Sequence, residues 1–387
     1  MLNNVKIAIL SRTFVSFSYG YVIVILPIYL HFLGFNSIII GISLFIAMLI
    51  NSLLTLFFGM FADHFGRKYM MIILFLLYGI SALLFLRTDN IILITLLAGL
   101  AGFTAGSTGG PIGSGGAFGA IQNALISEEV EKKSLSQILG IAAIIEMVAA
   151  MLGSFLIPFI SYFSINIFNL FYLSAILGFI SFFISFLLKD YKIRSKKLLP
   201  SISYKNIFKL SIPTIPCGLG SGMLLPILSL WLLYRYHTNA SITGVLFGII
   251  DLAVIVSLVF MPMLSNITGK LKLIVLSRVI ASITLILVAI SPFFLITSIL
   301  LIIRGSFAMG AVPVRQSFVM TNVHDSERAT TNSATSFSRN TASSFGPFIS
   351  GNLISQNLTF IPLLGGIVTM FDPILYFLMF RDQWNKK

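Results

Sequence analysis

The sequence predicts an all-α membrane protein, with twelve transmembrane helices arranged as two six-helix pseudo-repeats. Composition comes first: of 387 residues, 57% are hydrophobic and 10% charged, and mean hydropathy is +1.00. Those values lie outside the range of water-soluble domains. Length comes second. At about 20 apolar residues per crossing plus a turn, roughly 32 residues per span, the chain holds about a dozen helices and little else. The third observation is an internal echo. GMFADHFGRK, from Gly59 to Lys68, is answered by PMLSNITGK, from Pro262 to Lys270, and the end of the fourth span at Gln122 by the end of the tenth at Gln316. A transmembrane β-barrel is excluded because stretches such as 72–85 are apolar on every side rather than alternating.

Apolar runs between charged or turn-forming interruptions place the spans at 8–30, 38–61, 69–87, 90–126, 137–160, 166–188, 208–234, 241–264, 273–291, 294–320, 331–353 and 360–380. The first is longer than a signal-peptide core and lacks a small-residue cleavage site at its end, so it is expected to be retained. The fourth is too long. An unbroken helix over 90–126 would reach about 55 Å, against a hydrocarbon core of about 30 Å. Its natural break is GSTGGPIGSGG, which supplies Gly106, Gly109, Gly110, Pro111, Gly113, Gly115 and Gly116. Non-helical backbone at that depth is tolerated where it is buried or lines water, so these residues are a candidate cavity wall or gate. Related breaks are expected in the seventh span at Pro213 and Pro216. Its glycines also suit close helix packing.

The formal charge of +13 reports topology. Lys and Arg gather between alternate spans, leaving Arg87 and Arg235 on the other side; this predicts both termini in the cytoplasm and argues against a nucleic-acid partner. Arg278 is counted among the cytoplasmic charges. The longest connection, 189–207, divides the chain into bundles 1–188 and 208–387, and its basic residues suit anionic lipid headgroups. Cys217 alone permits no internal disulfide, and four scattered histidines have no metal-ligand spacing, so neither metal nor cofactor is expected.

The string GMFADHFGRK matches the signature loop of the major facilitator superfamily, Gly-x-x-x-Asp-x-x-Gly-Arg-Lys, at the position between spans 2 and 3 where that family carries it. The chain resembles this family over essentially its whole length. The stretch from Arg304 to Gly351 looks like spans 10 and 11 of drug or metabolite permeases. The Gly-Pro motif common in span 5 of proton-driven drug antiporters is absent, since Gly153 is followed by serine. The resemblance implies that Gly59, Asp63, Gly66, Arg67 and Lys68 latch the cytoplasmic side in one conformation and release it in another. Arg67 and Lys68 have Glu128 and Glu129, at the end of span 4, as candidate partners.

Ionisable residues inside apolar spans are the sharpest functional signal, since each costs about 2.5 to 3.5 kcal/mol even on the lenient insertion scale. Glu146, Asp251, Arg304, Arg339 and Asp372 lie close to the midplane, with Arg12 and Arg315 nearer the cytoplasmic face. In the family arrangement spans 5 and 8 meet, so Glu146 and Asp251 are candidates to share a cavity and exchange protons. Arg304 and Arg339 are their expected counter-charges, or a hold for an anionic substrate. The competing assignment is a static ion pair that fixes helix packing. Asp372, immediately before Pro373, is expected to cap a helix break. No enzyme signature is present: there is no Gly-x-Ser-x-Gly elbow, Walker loop or His-Glu-x-x-His pair. The expectation is a monomeric, proton-coupled secondary transporter of a small organic solute, exporting drugs or metabolites. Uptake or facilitated passage comes next, and a nontransporting receptor or lipid-handling protein on the same fold is the rival of another class.

Overall fold

The computed structural model describes residues 2–104, 116–130, 132–189, 204–323 and 328–384. Among these residues every regular element is a helix. In chain order the helices are α1 (Leu2–Phe32), α2 (Ser37–Phe65), α3 (Arg67–Phe85), α4 (Ile91–Ala101), α5 (Gly116–Glu129), α6 (Lys132–Tyr162), α7 (Leu170–Ser185) and α8 (Tyr204–Ser211). There follow α9 (Thr214–Leu224), α10 (Leu228–Tyr236), α11 (Ala240–Thr268), α12 (Lys270–Ile290), α13 (Phe294–Gly310), α14 (Val312–Thr321), α15 (Arg328–Gln356) and α16 (Phe360–Met379). Among the described residues, ten helical segments are long and apolar enough to cross a membrane. Large side chains such as Phe57, Leu152, Phe183, Phe260 and Leu378 point outward from them, as lipid-facing residues do.

The segments outside that ten are the most polar or the most interrupted of the expected spans. α15 has the length of a span but is rich in Ser, Thr and Asn. Thr331, Thr335, Ser343, Ser344 and Ser350 are all buried, because α15 lies between α2 and α9 rather than against lipid. The over-long fourth segment is two helices. Asn90 caps the start of α4, with its side-chain oxygen accepting from the Ile92 and Leu93 amides, and α4 closes on Gly102 in the left-handed conformation. α5 opens at Gly116, also at positive φ. Gly106, Gly109, Gly110, Pro111, Gly113 and Gly115 lie outside the described residues.

The seventh segment shows the expected interruptions only in part. Pro213 stands between α8 and α9, and Leu225–Ile227, holding Pro226, is a tight turn before α10. Pro216 falls in the first turn of α9, where a missing amide hydrogen costs nothing, so no break occurs there. The glycines of α9 serve contact. A Cβ on Gly218 would stand 2.2 Å from the Arg339 carbonyl oxygen, and one on Gly222 would stand 2.2 Å from that of Ser343. This brings α9 and α15 together backbone to backbone.

Helix α1 packs on α6 and on α7, α3 on α4 and α7, and α2 on α4 and α5. In the later part of the chain α9 packs on α15 and α16, α12 on α16 and α13, and α11 on α13. Elements before residue 190 meet those after 203 chiefly where α2 lies on α15 and α6 on α11. Two glycines near the ends where α2 and α11 begin bring backbones close across these contacts. A Cβ on Gly41 would lie 2.4 Å from the Pro347 carbonyl oxygen, and one on Gly244 would lie 2.9 Å from that of Ser154. Phe45 packs between Phe345 and Phe348, with ring centroids 5.1 and 5.8 Å away. His31, at the end of α1, meets the Tyr234 hydroxyl at 3.0 Å.

Candidate functional site

Every ionisable residue predicted to lie within the apolar spans is buried, but the partners differ from those expected. Glu146 on α6 is matched by Arg12 of α1, with Nε 3.4 Å from the carboxylate. Gln122 of α5 completes a triangle: its side-chain oxygen accepts from Arg12 Nη1 at 2.9 Å, and its amide donates to Glu146 at 2.8 Å. Arg12 is 1% exposed and Glu146 3%. Arg304 and Arg339 are therefore not the counter-charges of Glu146. The guanidinium that fills this role comes from a residue expected nearer the membrane face, because α1 and α6 pack along their length through Gly20 and Gly153.

Asp251 on α11 stands apart from that triangle. Its carboxyl is fully buried, and neither oxygen has a hydrogen-bond partner. Ser154 of α6 lies beside it. The Ser154 hydroxyl, however, is directed to the Gly20 and Ala150 carbonyls at 3.0 and 3.2 Å. Spans 5 and 8 do meet, as α6 and α11, but Glu146 and Asp251 have separate surroundings. Met147, Val254, Leu258 and Met309 form an apolar cluster near the same contact.

A second charged cluster occupies the space between α9, α12, α13 and α16. Arg278 Nε lies 3.4 Å from Asp372, and Arg278 Nη1 donates to the Cys217 sulfur at 2.8 Å. Arg304 lines the same small cavity, together with Ser221, Thr369 and Met309. Two expectations are corrected here. Arg278 is no loop charge: it sits within α12, 6% exposed, because the helix begins at Lys270 and carries it about two turns into the bundle. Asp372 caps no break either, since α16 continues through Pro373 and the carboxylate faces Arg278 instead. Packing of α16 against α9 and α12 holds the helix where the proline removes a backbone bond. Arg315 and Arg339 are buried and within electrostatic reach of Asp372.

Gly66 ends α2 and opens α3 at φ 98°, ψ 142°, and Gly269 does the same between α11 and α12 at φ 89°, ψ 144°. The residues after them reach corresponding neighbours. Arg67 donates to the Ala124 carbonyl on α5, and Lys270 donates to the Ser317 hydroxyl on α14 at 2.8 Å. Lys68 reaches the Phe186 carbonyl at 2.9 Å. Glu129, expected as an acidic partner of this loop, accepts from Asn4 at 2.5 Å. Gly59 falls within α2. The side chains of Asp63 and Glu128 lie outside the described ones.

The sequence did not mark Gln122, Arg278 or Cys217 as site residues. Gln122 and Cys217 carry no charge to mark them; Arg278 carries one, and its place within the ninth apolar run was the available signal.

Solved structures share this architecture. A mutant of the nucleoside transporter NupG superposes with a TM-score of 0.76 at 13% identity, covering 97% of this chain and 100% of that one. An auto-inhibited POT family peptide transporter gives 0.76 at 13%, covering 98% and 97%. The human organic anion transporter MFSD10 gives 0.70 at 11%, covering 96% and 98%. At these identities the likeness is one of fold. No curated protein matches the sequence. The sequence itself matches the Major Facilitator Superfamily over residues 8–347, and the chain belongs to that family: an integral, multi-pass membrane transporter of a solute rather than an enzyme.

Proposed function

We propose that the chain is a proton-coupled secondary transporter that moves a small organic solute by alternating access. Bundles 1–188 and 208–387, joined by 189–207, rock about the α2/α15 and α6/α11 contacts. The twelve spans of this scheme take α4 with α5 as the fourth, α8 to α10 as the seventh, α13 with α14 as the tenth and α15 as the eleventh. Matching conformations at Gly66 and Gly269, and the matching reach of Arg67 and Lys270, support two bundles of one plan. With Lys and Arg on the cytoplasmic side and both termini there, the close contacts at Gly41 and Gly244 form the outer gate, so this conformation faces inward. Export by a monomer is the favoured mode, on the resemblance of Arg304 to Gly351 to drug and metabolite permeases.

The observation that carries proton coupling is Asp251. A buried carboxyl without a donor or a cation has nothing to compensate its charge, and it stands where the two bundles meet. A rocking motion changes its surroundings, and proton exchange is the response open to such a group. The test uses purified protein in vesicles containing a pH-sensitive dye, challenged with nucleosides, dipeptides and aromatic carboxylates. Solute-dependent movement of protons is the expected result, with the driving direction read from the sign of the imposed gradient. Solute passage that neither moves protons nor responds to a pH gradient would establish facilitated passage instead.

A further inference from the structure

The charges around Asp372 do not balance. Arg278, Arg304, Arg315 and Arg339 are all nine-tenths or more buried, and among the described residues Asp372 is the only carboxylate placed with them. It is engaged with Arg278. Among the described residues Arg304 makes no hydrogen bond or ion pair, and its Nε is fully enclosed; Nε and Nη1 of Arg339 are likewise enclosed and without an acceptor. An uncompensated buried guanidinium is among the most costly arrangements a protein can hold. In a helix bundle such residues pair with one another or mark a substrate pathway.

The cavity beside Arg304 shows where a compensating group fits. Its polar lining includes Arg278, Arg304, Asp372, Cys217, Ser221 and Thr369, and its apolar lining includes Leu225 and Met309. Those two side chains pack against the apolar cluster of Met147, Val254 and Ile250, where α6 meets α11. Leu225 and Met309 thus link the lining of the cavity to the contact between the bundles. In this conformation it has room for roughly one water-sized occupant. That is enough for part of a carboxylate, with space for a larger body only as the helices separate.

Resting on the transporter assignment above, we propose that this cavity is the anion subsite of the transported solute and that the solute is a small organic anion. Its charged group meets Arg304 and Arg278, and its apolar body lies along Leu225 and Met309. Asp372 acts as the internal competitor for Arg278. It neutralises that arginine when the site is empty and yields it when the anion arrives.

The test measures thermal stabilisation of the purified full chain by benzoate, with benzamide, phosphate and chloride as comparisons. Benzoate is expected to stabilise the protein, benzamide not at all, and the two inorganic anions weakly. Arg304→Gln should weaken benzoate by roughly tenfold or more, the loss expected for one charge-assisted hydrogen bond, while raising the melting temperature of the unliganded protein because it removes an unpaired buried charge. Arg304→Lys should retain part of the binding, and Asp372→Asn should tighten it. A purely structural arginine would behave in the opposite way, with Arg304→Gln melting lower and benzoate binding unchanged. Equal stabilisation by benzoate and benzamide, or stabilisation by phosphate and chloride alone, would overturn the organic-anion site. Solute-driven proton movement with a neutral substrate would then still leave the transporter assignment standing.

Discussion

Arg12 and Glu146, one on α1 and the other on α6, face each other at 3.4 Å inside the protein, with Gln122 bonded to both. The triangle leaves neither charge dependent on water. It also ties α5 to α1 and α6.

A buried pair that supports packing reveals itself through asymmetry between single and double replacements. Glu146→Ala should destabilise the protein by about 3 to 5 kcal/mol, since it leaves the Arg12 charge without its carboxylate. Arg12→Met combined with Glu146→Leu should recover much of that loss by replacing the pair with packed apolar volume. Thermal melts in detergent read both. A double variant as unstable as the sum of the single ones would show that the two residues act independently.

Asp251 predicts the reverse pattern. Both of its oxygens lack a donor, so Asp251→Asn breaks no hydrogen bond or ion pair and removes the capacity for charge, and it should leave the melting temperature little changed. Accumulation driven by a pH gradient should be abolished, while exchange of labelled for unlabelled solute, which moves no net proton, continues. Preserved gradient-driven accumulation in this variant would remove Asp251 from the coupling path.

The contrast between these two carboxyls marks what was legible in the sequence. Insertion cost identifies which charges need a reason, and Glu146, Asp251, Arg304, Arg339 and Asp372 are all buried as that cost implies. It reports depth along a span but not the direction a side chain takes around its helix, nor which helix lies opposite. Arg12 as the partner of Glu146 follows from α1 packing on α6, a tertiary fact. Gln122 carries no charge, so nothing in the apolar pattern separates it from its neighbours. Asp372 shows the limit in another way: an Asp-Pro pair favours a break locally, and packing by α9 and α12 overrides that preference. The helices themselves were legible because an apolar run of spanning length has few other destinations.

The α2/α15 contact offers a direct handle on the conformational balance. A Cβ at Gly41 would meet the Pro347 carbonyl oxygen at 2.4 Å and the Gly351 Cα at 2.8 Å, both of them backbone atoms that cannot move alone. Gly41→Ala should therefore push α2 from α15 and populate the conformation open at that end. The control is Gly140→Ala, in α6, where a Cβ meets nothing within 4 Å and the helix gains from alanine. Single cysteines near Tyr234 should become more reactive toward a hydrophilic thiol reagent in Gly41→Ala and stay as they are in Gly140→Ala. Equal reactivity in the two variants would mean that this contact does not gate access.

The paired loops make the last prediction. Gly66 at φ 98° and Gly269 at φ 89° occupy backbone conformations that a side chain strains, so alanine at either position should cost about 1 to 3 kcal/mol. Strain alone does not show that the loops latch anything. Arg67 and Lys270 do that better, because each reaches across to a helix that the loop must hold or release: Arg67 to the Ala124 carbonyl and Lys270 to the Ser317 hydroxyl. Arg67→Ala and Lys270→Ala should leave membrane insertion and the yield of folded protein intact while changing the rate of solute flux, and both should alter cysteine reactivity at Tyr234 in the same direction. If the two loops are halves of one latch, the combined variant should change that reactivity by less than the sum of the single changes, since releasing either loop already frees the bundles to rock. Additive effects would show two local tethers acting separately, and an unaltered rate in both single variants would reduce the signature loop to a tight turn carrying positive charge.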